Sequence, residues 1–148
     1  MLIDTIRQDL TTAMKAKDAV RLRSLRAVIA AVKEAEVAGD EARTLTDDEV
    51  QAVITAQVKR RVEAAEAFDA GDRPEQAAAE RAEKAVLETY LPAALTPEEL
   101  EELVDRALAE GGWSSKADMG QAMKAINAEV AGRADGRTVA DLVKSKLA

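Results

Sequence analysis

A complete helix-start signal is written twice in this chain. At Leu45-Thr46-Asp47-Asp48-Glu49-Val50, a threonine precedes an apolar series and a glutamate stands three residues on. In such a capping box the hydroxyl accepts from the third residue's backbone N–H, and the glutamate reaches back to the threonine N–H. Leu45 and Val50 hold the two positions of a hydrophobic staple, which fixes the angle at which the chain enters the helix. The signal returns at Leu95-Thr96-Pro97-Glu98-Glu99-Leu100, with proline at the first helical position, where a missing N–H has no partner to lose. A chain punctuated in this way is built from helices, and the second signal marks the start of a new group of them.

From Thr46 the apolar positions Val50, Val53, Ile54, Val58, Val62, Ala65 and Phe68 recur at helical spacing as far as Ala70. About 24 residues rising 1.5 Å each make a rod of roughly 36 Å. Lys59-Arg60-Arg61 spreads around that rod and is not one patch. Gly71-Asp72 breaks it, and Pro74 opens another helix ending near Tyr90-Leu91, whose apolar positions are mainly alanines with Val86, Leu87 and Leu91. Small side chains allow close approach, so a tight antiparallel pair is expected. Tyr90 is expected to pack at the helix end with its hydroxyl in water.

Two helices precede this pair. The first spans about Leu2 to Lys15 with a stripe of Ile3, Ile6, Leu10 and Met14. After a break at Lys17-Asp18 the second runs to about Ala38, with Leu22, Leu25, Ile29 and Val32 in line and Val28 beside them. Arg21, Arg23 and Arg26 gather at its start, where cations oppose the helix dipole. Two readings stand: an anion site, or a solvated arginine face paired with neighbours such as Asp18.

Pro92 is the expected domain joint, because the residue before a proline is driven out of helix. Beyond it, a helix from Thr96 to about Glu110 turns Leu100, Leu103, Val104, Ala107 and Leu108 inward. Glu98, Glu99, Glu101, Glu102 and Asp105 make its other face acidic, which the dipole favours in a first turn; no metal is expected there. Gly111-Gly112 ends it. Trp113 is expected to plug a small core with its Nε1 on a partner. A sixth helix starts near Ser115, with Asp118 as capping partner and Met119, Met123, Ile126 and Val130 as its stripe. Gly132 stops it. Asp135, or else Thr138, caps a seventh, which adds Val139, Leu142, Val143 and Leu147. The reading is all-α: an N-terminal helical domain over residues 1–92 with a long antiparallel helix pair, and a small C-terminal three-helix domain over 95–148.

Composition narrows the chemistry. Cysteine and histidine are absent, which excludes disulfides, thiolate nucleophiles, zinc-finger sites and His-based acid–base catalysis. No cofactor is expected. The opening MLIDTIRQDL is too charged for a signal peptide, and nothing approaches the ~20 apolar residues that span a bilayer. The cytoplasm is the expected location, with no membrane partner. A net charge of −7 argues against a generic nucleic-acid binder, and no DNA partner is expected. The charge is uneven, however: residues 46–96 carry six basic and eleven acidic side chains, whereas residues 116–148 carry six and four.

Asp9–Glu36 (DLTTAMKAKDAVRLRSLRAVIAAVKEAE), Lys59–Glu75 (KRRVEAAEAFDAGDRPE) and Glu80–Pro92 (ERAEKAVLETYLP) follow one another in order. They lead into Asp118-Met119-Gly120, Met123-Lys124 and Gly132-Arg133-Ala134-Asp135-Gly136. In this order, over nearly the whole chain, these segments resemble the GatB/YqeY family, and within it the free-standing YqeY-like members. The resemblance implies a two-part helical protein akin to the tail of the B subunit of the glutamine-dependent aminoacyl-tRNA amidotransferase, a region that helps hold the tRNA. It also carries a label of carbon–nitrogen ligase activity with glutamine as amido-N donor. That activity needs catalytic domains for which this chain lacks the length, so the chain is not expected to be an enzyme on its own. Of the tail motif, the residues with suitable chemistry for tRNA are Lys124 and Arg133. Lys116, Arg137, Lys144 and Lys146 join them by proximity. Position 121 is Gln where the motif often carries Lys, so a phosphate contact is lost there.

The leading expectation is a non-catalytic module that binds tRNA or assists a tRNA-dependent amidotransferase. Its partners would be tRNA or a protein of the tRNA aminoacylation or amidation machinery. Gly120 lets either an RNA backbone or another helix approach closely, and helix packing is the plainer of the two. With aromatics at 2%, recognition would be of shape and backbone, not of stacked bases. The alternative is a protein-interaction adaptor without RNA contact, using the alanine-rich hairpin and the acidic middle. Ser114-Ser115-Lys116 as nucleophile and base is set aside, because a capping role explains the serines.

Overall fold

Seven α-helices and one 3₁₀ turn make up the regular structure, and there is no strand. The computed structural model describes residues 1–148. In chain order the helices are α1 (Leu2–Ala16), α2 (Ala19–Glu36), α3 (Asp47–Ala70), α4 (Pro74–Glu88), α5 (Pro97–Gly111), α6 (Met119–Val130) and α7 (Gly136–Lys146). They form two compact units, Met1–Leu91 and Pro92–Ala148. No helix is long and apolar enough to cross a membrane.

In the first unit the capping box at α3 is complete. Glu49 N–H donates to Thr46 Oγ1 at 3.2 Å, and Thr46 N–H donates to Glu49 Oε1 at 3.2 Å. Leu45 and Val50 are buried at 3% and 1% exposure, as a staple requires. The carboxylate of Glu49 is also gripped by Arg43, whose backbone N–H donates to the Glu36 carbonyl, so the loop after α2 is tied down at both ends. The same start serves α1: Leu2 N–H donates to Asp47 Oδ1 at 2.9 Å.

Arg43 first, and the Thr46 N–H second, hold the Glu49 carboxyl at about 2, down from 4.5. A depressed carboxyl contributes stability that is complete above its unfolded value and is lost as pH falls through the folded one. Glu49→Gln is therefore expected to lower the thermal midpoint at pH 7. The gap to the wild type should close as pH falls from 4.5 to 2, which melts followed by circular dichroism across that range will check.

The core of this unit gathers Ile3 and Ile6 from α1, Leu25, Val28 and Val32 from α2, Val50 and Ile54 from α3, and Leu87 from α4, with Leu45 from the preceding loop. The α1 stripe departs from expectation at its end: Met14 is 53% exposed and Ala13 is buried. Positions 13 and 14 both continue the helical stripe. Asp18 N–H closes on the Ala13 carbonyl at 3.0 Å, which places Ala13 at the turn into α2. Lys17, at φ 56°, makes that turn in the left-handed region.

The arginines at the start of α2 do not converge on one site. Arg21 pairs with the cap residue Asp18 at 3.5 Å, Arg23 reaches Glu83 of α4 at 2.9 Å, and Arg26 is exposed. Glu83 is buried, with Arg61 of α3 on its other side at 3.6 Å. Arg61 in turn donates to the buried Gln57 at 3.0 Å. Of the Lys59-Arg60-Arg61 triplet, the first two residues stay in solvent and the third turns inward. The α3–α4 pair is close, as the alanines require: Ala65 and Ala77 are 2% and 0% exposed. The Tyr90 hydroxyl is not in water, as expected, but donates to Asp9 of α1. Burial, reinforced by that carboxylate, pushes its pKa up.

Candidate nucleic-acid interface

The second unit is three helices around one core. Leu100, Leu103, Val104, Ala107 and Leu108 of α5 meet Ala122, Ile126 and Val130 of α6, and Val139, Val143 and Leu147 at α7. Its opening signal is half-formed. Thr96 Oγ1 accepts from Glu99 N–H at 3.1 Å, but Glu99 Oε1 bonds the Thr96 hydroxyl and not its N–H. At Thr46 an arginine steadies the glutamate; Glu99 has no such neighbour.

The glycines after α5 have separate tasks. Gly112, at φ 67°, closes the helix in the left-handed region. Gly111 lies beneath the indole of Trp113, where a Cβ would come within 2.3 Å of the ring. Trp113 Nε1 donates to Gln121 Oε1 at 3.2 Å, so the glutamine at the departing motif position secures the tryptophan. A lysine has no acceptor to offer there.

A 3₁₀ turn over Lys116–Asp118 leads into α6. Asp118 Oδ2 accepts from the backbone N–H groups of Ser114 and Ser115, at 3.1 and 3.2 Å, and from the Ser115 hydroxyl at 3.3 Å. Those backbone bonds lower its pKa. With the Ser115 hydroxyl spent on a carboxylate, the Ser-Ser-Lys run is a cap. The turn is also pinned to the end of the chain: Lys116 N–H donates to the Ala148 carbonyl, and Ala148 N–H to Ser114, both at 3.0 Å.

The Gly132-Arg133-Ala134-Asp135-Gly136 joint works as a clamp. Ala131 and Gly132 both take positive φ and turn the chain out of α6. Asp135 caps α7 through Thr138 N–H at 3.1 Å. Between them, the Arg133 carbonyl accepts from Leu95 N–H at 2.8 Å, and its Nε donates to the Ala93 carbonyl at 2.9 Å. The joint thus fastens the segment that precedes α5. Beside it lies a cleft of about 410 Å³. Leu95, Pro97, Leu100, Ala134 and Leu142 give it an apolar lining. Its polar members are Glu101, Arg133, Asp135 and Thr138. Each of the four already has a partner within the unit.

The seven candidate residues therefore divide. Lys146 is spent inside the unit. Its Nζ lies 2.8 Å from Asp105 and 3.0 Å from Glu101, its side chain is only 23% exposed, and both carboxylates, Asp105 first, raise its pKa. Arg133 is half-buried and committed to the clamp through Nε. Lys116, Lys124, Arg137 and Lys144 are exposed and make no ion pair. Gly120 is exposed on α6, and a Cβ built there meets nothing within 4 Å, so no helix of the chain packs against it.

Helical spacing puts Gly120, Lys124 and Asn127 on one outward face of α6, and Lys116 lies in the 3₁₀ turn before it. From Met119 to Val130 the single carboxylate is Glu129, and Arg106 of α5 holds it at 2.8 Å. On α7, Arg137 and Lys144 share a face with Asp141 between them. The outward face of α6 thus carries Lys124 and no free carboxylate in a chain of net charge −7. Lys124 on α6 and Lys116 in the turn before it are both exposed, and each can meet an anionic group. Sequence reasoning named these residues but could not separate the free cations from the spent ones, because that depends on which carboxylates the other helices bring.

A family model described as Yqey-like protein matches residues 3–147. Among curated proteins, the chain is similar to "Altered inheritance of mitochondria protein 41, mitochondrial" from Meyerozyma guilliermondii, at 34% identity over 91 residues. Those residues are 60% of this chain and 46% of that protein, so the match spans less than half the length of the relative.

Proposed function

The chain belongs to the YqeY-like family, and from that premise we propose that it is a non-catalytic helical module whose second unit binds tRNA, or holds tRNA for an amidotransferase. The observation that supports this reading best is the start of α6: Lys116 in the turn and Lys124 on the helix are exposed and unpaired, and the one carboxylate between them, Asp118, is turned onto the Ser114 and Ser115 N–H groups. Lys144 and Arg137 of α7 extend the supply of free cations. Contacts of this kind go to phosphates, and they position a ligand without reading its sequence.

Binding would be weak and salt-sensitive, because each neutralised phosphate releases counterions. A mobility-shift titration of the full chain against a tRNA transcript across a salt series tests the reading. The expected log–log slope is about −0.7 to −0.9 per phosphate contacted, and Lys116→Glu with Lys124→Glu should flatten it by roughly two such units. The same double variant should weaken binding at low salt by at least about tenfold. Absence of binding at low salt would overturn the proposal in favour of a protein-interaction adaptor. Lys146→Ala is the contrasting variant: Lys146 is held by Glu101 and Asp105, so the salt slope should stay as in the wild type.

A further inference from the structure

The apolar stripe of α7 is not wholly covered. Val139 and Val143 are fully buried, but Leu142 stays half-buried beside the Arg133 joint. With Leu95, Pro97, Leu100 and Ala134 it walls the cleft of about 410 Å³. That volume lies near the low end of the roughly 300–1,000 Å³ found for small-molecule sites. An amphipathic helix of a partner would instead need a long groove with successive anchor positions. The size therefore points to a small occupant with an apolar body.

One side-chain donor in the lining is left unspent. Arg133 gives Nε to the Ala93 carbonyl at 2.9 Å, and its own carbonyl takes Leu95 N–H at 2.8 Å, so the guanidinium and the Leu95 wall are fixed together. Nη1 and Nη2 of Arg133 have no partner in the chain. The acids of the lining do not compete for them. Glu101 lies 3.0 Å from Lys146 Nζ, and Asp135 Oδ2 accepts from the N–H and the hydroxyl of Thr138. Two parallel N–H donors on a guanidinium held at its third nitrogen match the two oxygens of a carboxylate. We propose that this cleft binds a small aliphatic monocarboxylate, with its chain on Leu95, Leu100 and Leu142 and its carboxylate on Nη1 and Nη2 of Arg133. The site is separate from the exposed lysines invoked for RNA and does not depend on that reading.

Amide chemical shifts of the full chain, followed by NMR as octanoate, octan-1-ol or octylammonium is added, test it. Octanoate should move the amides of Leu95, Ala134 and Thr138 along one saturable curve. Octanol has the same chain without the charge, and octylammonium carries the opposite charge. Both should bind at least about tenfold more weakly, as the loss of a charge-assisted pair requires. Arg133→Gln should bring octanoate down to the octanol level. Ala134→Leu, which narrows the cleft, should weaken octanoate and octanol alike. Lys144→Ala removes an exposed cation outside the lining and should bind as the wild type does. Octanol or octylammonium matching octanoate in the wild type would overturn the carboxylate site, whether or not Arg133→Gln folds. So would the absence of saturable octanoate shifts, shifts confined to residues outside the cleft, or an unchanged affinity in a folded Arg133→Gln. An acetylated tripeptide ending in leucine that binds at least about tenfold tighter than octanoate would overturn the free acid in favour of the C-terminus of a partner protein.

Discussion

Glu83→Ala is expected to destabilise the first unit by about 2–4 kcal/mol, among the largest effects any single polar substitution can have here. Glu83 is 8% exposed where α4 meets α2 and α3, and it carries two arginines. The Arg23 end matters little, because that side chain is 57% exposed and water can replace the lost carboxylate. The Arg61 end decides the result. Arg61 is 14% exposed, its Nε already has no hydrogen-bond partner, and only Gln57 and the nearby Glu83 carboxylate compensate its charge. Removing Glu83 leaves that cation buried with one neutral partner. Glu83→Gln keeps the shape and some hydrogen bonding, so a smaller loss of about 1–2 kcal/mol is expected. Arg23→Ala should cost less than about 1 kcal/mol. Urea unfolding of the three variants orders them; a Glu83→Ala midpoint equal to that of Arg23→Ala would show that Arg61 does not depend on the carboxylate.

Glu83 also shows where sequence reasoning stops. On α4 it reads as one more charge among alanines, and only the approach of α2 and α3 makes it interior. The same limit applies to Tyr90, whose partner Asp9 lies far back in the chain. It applies again to Lys146, which sequence counts with the free cations but Glu101 and Asp105 capture. By contrast, the helices themselves were legible. Threonine caps, Pro97, Asp135 and the glycine stops act over a single turn, so their meaning is local; the apolar stripe of α5 became core as written, and that of α7 did so except for the half-buried Leu142. Met14 and Ala13 mark the boundary between the two kinds of information. Periodicity admits both to the stripe, and only the packing of the other helices makes Ala13 the buried one. For the candidate site the sequence named the tail cations and Gly120. It could not supply the open space over Gly120, nor the commitment of Arg133 to Ala93, because both are statements about what other segments do.

Ile126→Ala is expected to bring the second unit close to unfolding. Ile126 is fully buried at the centre of α6, among residues of α5 and α7. Truncating an isoleucine in such a place costs about 2–5 kcal/mol through lost transfer energy and the cavity left behind. A core built by so few residues rarely supplies more than roughly 3–5 kcal/mol in all, so one cavity is comparable to the whole stability. Ile126→Val, which removes one methylene, should cost about 0.5–1.5 kcal/mol and keep the unit folded. The molecule carries its own reporters: the single tryptophan, Trp113, belongs to the second unit, and the single tyrosine, Tyr90, to the first. Urea unfolding followed by Trp113 fluorescence should shift strongly to lower denaturant in Ile126→Ala and slightly in Ile126→Val. On the proposed reading tRNA affinity should follow the same order, because Lys124 keeps its place only while α6 is docked. A folded, unshifted Ile126→Ala would mean that the core tolerates the cavity. Retained tRNA binding by an unfolded second unit would move the RNA contact away from α6.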